Sequence, residues 1–190
     1  MSVRLIVAAL AICVAPIVTP AADNDDYNPY KNVKVGDFAT YKINVKVAGQ
    51  NIAGSTTQSI TAKSDKEATV KVVSSVGGME IPAQMQTIDL TKPFDPTKAG
   101  GGLPAGVEGS VTKDKDGKEK VKVGGKEYDT TWTTYKVKAK AGGMDIKSDI
   151  KVWMSKDIVL GIVKMDMTAD IADQKMEMTM EVTDFTGNKK

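Results

Sequence analysis

The chain has 190 residues, 26 Lys and Arg against 24 Asp and Glu, a formal net charge of +2, one Cys and no His. That near balance, with both signs interspersed, excludes the basic patch that drives nucleic-acid binding. Without His, and with Cys13 as the single thiol, the common nucleophile–base pairs and most transition-metal sites are unavailable.

Met1 to Arg4 form a short n-region with one positive charge, Leu5 to Val18 an apolar run, and Thr19-Pro20-Ala21-Ala22 a small-residue end before the acidic Asp23-Asn24-Asp25-Asp26. This order predicts a secretory signal peptide over 1–22, cleaved after Ala21 or Ala22. The run contains Pro16 and is shorter than the ~20 apolar residues of a membrane span, so no span is expected in the mature chain. A lipidated Cys13 would resemble the bacterial lipobox, but Ile12 stands where that pattern wants a small residue. Cys13 is therefore expected to leave with the signal. The remaining chain, 190 less 22 or 168 residues, suffices for one domain with its own core. Export without disulfides fits a bacterial periplasm or a secreted location.

Residues 23–32 read as a flexible N-terminal segment with Tyr27 and Tyr30 as anchors, and 33–190 as a single all-β domain. Ala39, Tyr41, Ile43, Val45 and Val47 alternate with Thr40, Lys42, Asn44 and Lys46, the period of a half-buried strand. Gly49-Gln50-Asn51 is a turn, followed by a Thr- and Ser-rich strand from about Ile52 to Lys63. Ser64-Asp65-Lys66 leads to Ala68, Val70, Val72 and Val76, and Gly77-Gly78 marks a hairpin into a strand from about Met79 to Leu90. The segment 91–106, with Pro93, Pro96, Pro104 and Gly100-Gly101-Gly102, admits neither strand nor helix. It reads as a crossover between two halves of the sheet, with a lid as the alternative.

Over Val107 to Val123, Asp114-Lys115-Asp116-Gly117 reads as a turn between short, Lys-protected edge strands. Asp-x-Asp-Gly is part of a calcium loop, but the remaining ligands are missing. Gly124-Gly125 opens the next strand, in which Tyr135, Val137, Ala139 and Ala141 alternate with lysines. Gly142-Gly143 turns it into a strand where Met144, Ile146, Ile150, Val152 and Met154 oppose Asp145, Lys147, Asp149 and Lys151. Ser155-Lys156-Asp157 turns the chain toward Ile158-Val159-Leu160. The alternation resumes at Val163, Met165, Met167, Ala169 and Ile171, and after Ala172-Asp173-Gln174 at Met176, Met178, Met180 and Val182. Trp132 and Trp153 fall on polar parities, which predicts outward aromatics covered by the chain's own N-terminus, with cover by a partner, or a local bulge that reverses the pattern, as the alternatives.

The carboxylates Asp145, Asp149, Asp166, Asp170, Glu177 and Glu181 all take the polar parity, as on a solvated sheet face. No catalytic residue is expected, and the chain reads as a non-enzyme. Met-x-Met at Met165/Met167 and Met176/Met178/Met180 puts thioethers on one face, a soft donor set suited to Cu(I), although apolar packing explains the same spacing.

The run Val152-Trp153-Met154-Ser155-Lys156-Asp157-Ile158-Val159-Leu160-Gly161-Ile162-Val163-Lys164, with Val123-Gly124-Gly125-Lys126 before a long strand, resembles the LolA-like superfamily of periplasmic lipoprotein and lipid carriers. The resemblance covers about the C-terminal third. It implies a strongly curved antiparallel half-barrel whose concave face holds acyl chains. The family's lid helices are not visible, the Pro/Gly segment stands where one would sit, and no family functional residue carries over.

Together these readings predict an all-β protein: a single curved antiparallel sheet of about 9–10 strands, half-barrel or barrel-like, with little helix outside the signal peptide. A flat sheet of that size would leave its apolar face in water. The expected function is binding of an apolar ligand, a lipid or a lipoprotein acyl chain, by Met144, Ile146, Ile150, Val152, Met154, Met165, Met167, Met176, Met178 and Met180 on the concave face. No cofactor, resident metal or nucleic acid is expected. The alternatives are a structural or envelope-interaction domain with a filled core and a Met-based Cu(I) binder.

Overall fold

A computed structural model describes residues 28–92, 107–141, 144–171 and 174–187. Its nine strands are β1 (Phe38–Val47), β2 (Gln50–Lys63), β3 (Glu67–Val76), β4 (Met79–Asp89), β5 (Val107–Val123), β6 (Lys126–Ala141), β7 (Met144–Met154), β8 (Ile162–Ile171) and β9 (Gln174–Phe185). They form one sheet in the order β4-β3-β2-β1-β9-β8-β7-β6-β5, and every neighbouring pair is antiparallel. The first and last strands pair at the centre, and β4 and β5 are the two edges. The Pro/Gly segment joins those edges, as a crossover does. Residues 93–106, and with them the lid alternative, lie outside the described residues.

Alternation builds these strands. In β1, Ala39, Tyr41, Ile43 and Val45 are buried, while Lys42, Asn44 and Lys46 are exposed. Three hairpins turn on consecutive positive φ angles, at Ala48-Gly49 (50°, 78°), Gly77-Gly78 (59°, 79°) and Gly124-Gly125 (59°, 83°). Such turns match the right-handed twist of the strands they join.

The sheet curls instead of lying flat. Strands three and four places apart would be about 14 and 19 Å apart in a flat sheet, yet β5 comes within 8 Å, Cα to Cα, of both β8 and β9. The buried inner face forms one apolar cluster that runs from Ala68 and Val70 of β3 through Tyr41, Met180 and Met165 to Val152 and Tyr135.

Two expectations need correction. Asp114-Lys115-Asp116-Gly117 is not a turn: β5 is continuous over Val107–Val123, with a register shift between Lys113 and Lys115. Pairing along β6 overrides the local turn preference, which survives as a bulge. Residues 28–32 do not belong to a flexible segment. They form a 3₁₀ turn, Pro29–Asn32, with Asn28, Pro29 and Tyr30 buried. Tyr30 anchors it as expected, and Tyr27 lies outside the described residues. Ile158-Val159-Leu160 lies between β7 and β8, which starts at Ile162. Ile158 and Leu160 are nevertheless buried, inside a turn closed by Ser155 N donating to Gly161 O at 2.8 Å.

Candidate functional site: the concave face

Of the predicted ligand-binding residues, Ile146, Ile150, Val152, Met154, Met165, Met167, Met176, Met178 and Met180 all belong to the buried core, at 0–6% exposure. Met144 is paired with Ala141, and its side chain lies outside the described residues. Register brings the thioethers together: Met165 stands opposite Met180, and Met167 opposite Met178. A register shift between Trp153 and Met154 sets Met154 against Ile162.

One row crosses almost the whole inner face. Thr133 pairs with Val152, Val152 with Met165, Met165 with Met180, and Met180 with Ile43. Ile43 pairs with Gly54, Gly54 with Val76, and Val76 with Met79 on the β4 edge. The row begins buried and ends at Met79, which is 49% exposed. Gly54 is required within it, because a Cβ there would lie 2.4 Å from the Ser75 carbonyl oxygen.

Sequence reasoning missed the other half of this face. On β2 to β4 the inward positions include Thr56, Gln58, Ser74, Gln84 and Gln86, set by their pairing with Tyr41, Ala39, Val72 and Val70. Thr56 and Ser74 bond to each other through their hydroxyls at 2.8 Å. Tyr41 OH, Gln58 Oε1 and Gln86 Oε1 are buried without a hydrogen-bond partner among the described residues. Burial, with the neighbouring Tyr30, pushes the Tyr41 phenol well above its usual range.

The end of the face near Asp89 is closed by the N-terminal turn. Asn28 Oδ1 accepts from Tyr30 N at 3.0 Å, while its Nδ2 donates to the carbonyls of Asp89 and Lys92 at 3.3 and 3.4 Å. Lys63 Nζ donates to Lys31 O and Val33 O, both at 2.7 Å.

On the outer face Trp132 and Trp153 are cross-strand partners, so both point outward as expected. The N-terminal residues 23–27 expected to cover them lie outside the described residues, and lysines lie against both rings. Lys151 Nζ lies 4.4 Å from the centre of each ring, and Lys164 Nζ lies 5.1 Å from that of Trp153. Glu119 accepts from Lys151 Nζ at 2.8 Å and from Trp153 Nε1. The lysine beside it, and then the indole, hold the Glu119 carboxyl below its usual range. Among the described residues, long basic side chains thus cover Trp153. A cleft of about 580 Å³ beside this cluster is lined by Lys118, Glu119, Asp129, Lys156 and Asp157 among others, a charged lining of both signs.

The calcium reading of Asp114 and Asp116 meets the same chemistry. Asp114 pairs with Lys136 at 3.6 Å and Asp116 with Lys113 at 2.7 Å. Among the described residues no three acidic, His or Cys side chains converge as a metal site, and no helix is long and apolar enough to cross a membrane.

No protein-family profile matches the chain, and no curated protein matches it. Solved structures resemble it in shape. A Bacteroides fragilis protein of YmcC-like fold, named as exported, shares 11% identity at a TM-score of 0.48, covering 80% of this chain and 96% of its own. A Parabacteroides distasonis protein named as a lipoprotein shares 7% identity at the same TM-score and the same coverage. A DUF1329 family protein from Desulfovibrio piger shares 10% identity at a TM-score of 0.27, covering 84% and 90% of the two chains. At this level of likeness none of them assigns an activity, and none bears the name of the LolA-like carriers.

Proposed function

We propose that this chain is an exported, non-enzymatic binding protein that takes an apolar ligand, a lipid or an acyl chain, on the concave face of its curled sheet. The observation that carries this reading is the row from Met165 to Met79. An apolar stripe that is fully buried at β8 and β9 runs out to solvent at a sheet edge that is unpaired among the described residues. Exposed apolar surface continuous with a core is where an apolar ligand can enter. The methionines supply a lining that repacks around chains of different shape. Export rests on the order of charge, apolar run and small residues over 1–22.

A second reading is favoured by one observation. Met165, Met167, Met176, Met178 and Met180 are only 1–4% exposed, which is how a filled core looks. A structural domain of the envelope would need nothing more.

Met165→Lys and Met178→Lys separate the two readings. In a face that opens for ligand, Lys extends its stem and keeps its charge near water, so the variants should fold and lose binding of a fluorescent acyl probe. In a closed core they bury an unpaired charge and should lose several kcal/mol of stability. Severe unfolding of both, with no probe bound by the wild type, selects the structural domain. Intact mass of the exported protein should show Ala22 or Asp23 as its first residue, and a diacylated Cys13 there would refute the export reading.

A further inference from the structure

We propose that the concave face selects its ligand by headgroup, accepting amphiphiles whose head is uncharged and carries hydroxyl or amide hydrogens. This deepens the binding function proposed above and rests on it. The inner face is divided. Its β7 to β9 half is apolar except for Ser148, whose hydroxyl is satisfied by Thr168 O, whereas β1 to β4 bring Tyr41, Gln58 and Gln86 inward on neighbouring rows of the register. Gln58 lies opposite Ala39 while Tyr41 lies opposite Thr56, so the two are diagonal neighbours across one strand pair, about 7–8 Å apart and within reach of a single group. Gln58 continues through Val72 to Gln84, and Ile60 through Val70 to Gln86, both at the β4 edge.

Exposure rises along this polar track: Tyr41 is at 0%, Gln58 at 1%, Gln86 half-buried and Gln84 exposed. It therefore leads from the open edge to the centre of the face. Its three buried oxygens, Tyr41 OH, Gln58 Oε1 and Gln86 Oε1, are unpartnered among the described residues. A buried polar atom without a partner is costly, and a native fold keeps one rarely. The two amide oxygens can only accept, so what satisfies them must bring O–H or N–H groups. Burial keeps the Tyr41 phenol protonated, which lets it donate to a hydroxyl, ester or amide oxygen. Among the described residues no Lys or Arg is buried. A carboxylate or phosphate head would then be stripped of water without a counter-charge. A glycerol or amide head meets each of these demands.

The test is equilibrium dialysis of the exported full-length protein against monolauroylglycerol and against laurate, which share one acyl chain. Wild type should bind the monoglyceride about tenfold more tightly, the effect of one or two well-made hydrogen bonds. Tyr41→Phe combined with Gln58→Met should abolish that preference, keep laurate binding and melt no lower than wild type. Gln86→Met, at the edge strand, should weaken the preference even where the double variant folds poorly. Equal affinity for the two lipids in wild type, or a preference that survives these changes, overturns headgroup selection and leaves lipid binding standing. Binding of neither lipid overturns both.

Discussion

At the scale of single residues, the outer aromatic pair is held by charge. Lys151 sits over both indoles and is tied to Glu119, so the ammonium, two rings and a carboxylate link β5, β6 and β7. The Glu119 carboxyl titrates below its usual range in the folded protein. A lowered value means that the stabilisation is complete above the unfolded value of about 4.3 and is lost as pH falls through the folded one. Wild type should therefore lose more of its Tm between pH 5 and pH 3 than Glu119→Gln does. With Glu119 well exposed, the difference should stay within about 1 kcal/mol. Gly117 belongs to the same cluster. A Cβ there would lie 2.8 Å from the Trp132 ring, and that ring is pinned by Lys151. Gly117→Ala should cost about 1–3 kcal/mol, as overpacking does, and shift the Trp fluorescence. Unchanged emission and stability would show that the ring moves freely.

At the scale of elements, the N-terminal turn behaves as a plug. Tyr30 is 1% exposed, its backbone N–H donates to Asn28 Oδ1, and Lys63 holds the carbonyls of Lys31 and Val33 that follow it. Tyr30→Ala should destabilise by about 3 kcal/mol or more, as removal of a large buried ring does, measured as a fall in the denaturant midpoint. This turn shows where the sequence was silent. Asp23 to Asn32 is polar and carries no period, so only its tyrosines could be read as anchors, and the packing of Asn28 and the 3₁₀ turn left no pattern to read. The strands β7, β8 and β9 were legible because Met, Ile and Val alternate with Asp, Lys, Thr and Glu, broken on the inward parity of β7 only by Ser148. Even so, the cross-strand meeting of Met165 with Met180 required register, which no single strand encodes. On β2 the inward Thr56 and Gln58 were illegible, because Ser and Thr occupy both parities and remove the contrast on which alternation depends. On β5, Asp114 to Gly117 has turn chemistry, yet the long partner strand β6 kept it extended.

At the scale of the whole molecule, two features act together: a sheet left open between β4 and β5 and a chain without His. With no imidazole, no side chain has an ordinary pKa between pH 5 and 8. The perturbed groups move away from neutrality. Asp89 falls to about 2 through its bonds with Lys92 and Thr91, Lys92 rises through Asp89, and burial raises Tyr30 and Tyr41. The signs follow by linkage. The lowered carboxyls stabilise above about pH 4 and stop doing so as pH falls through their folded values. The raised Tyr and Lys groups stabilise below about pH 10 and stop as pH rises through theirs. None of these perturbed groups titrates between the two limits, so Tm should be constant from pH 6 to pH 8. An uncharged ligand head adds no titrating group, so the affinity for monolauroylglycerol should be constant over the same interval, measured by dialysis at each pH. A Tm or an affinity that changes across neutral pH would show a titrating group coupled to the fold or to the ligand, and would rule out this pH-indifferent mode of binding.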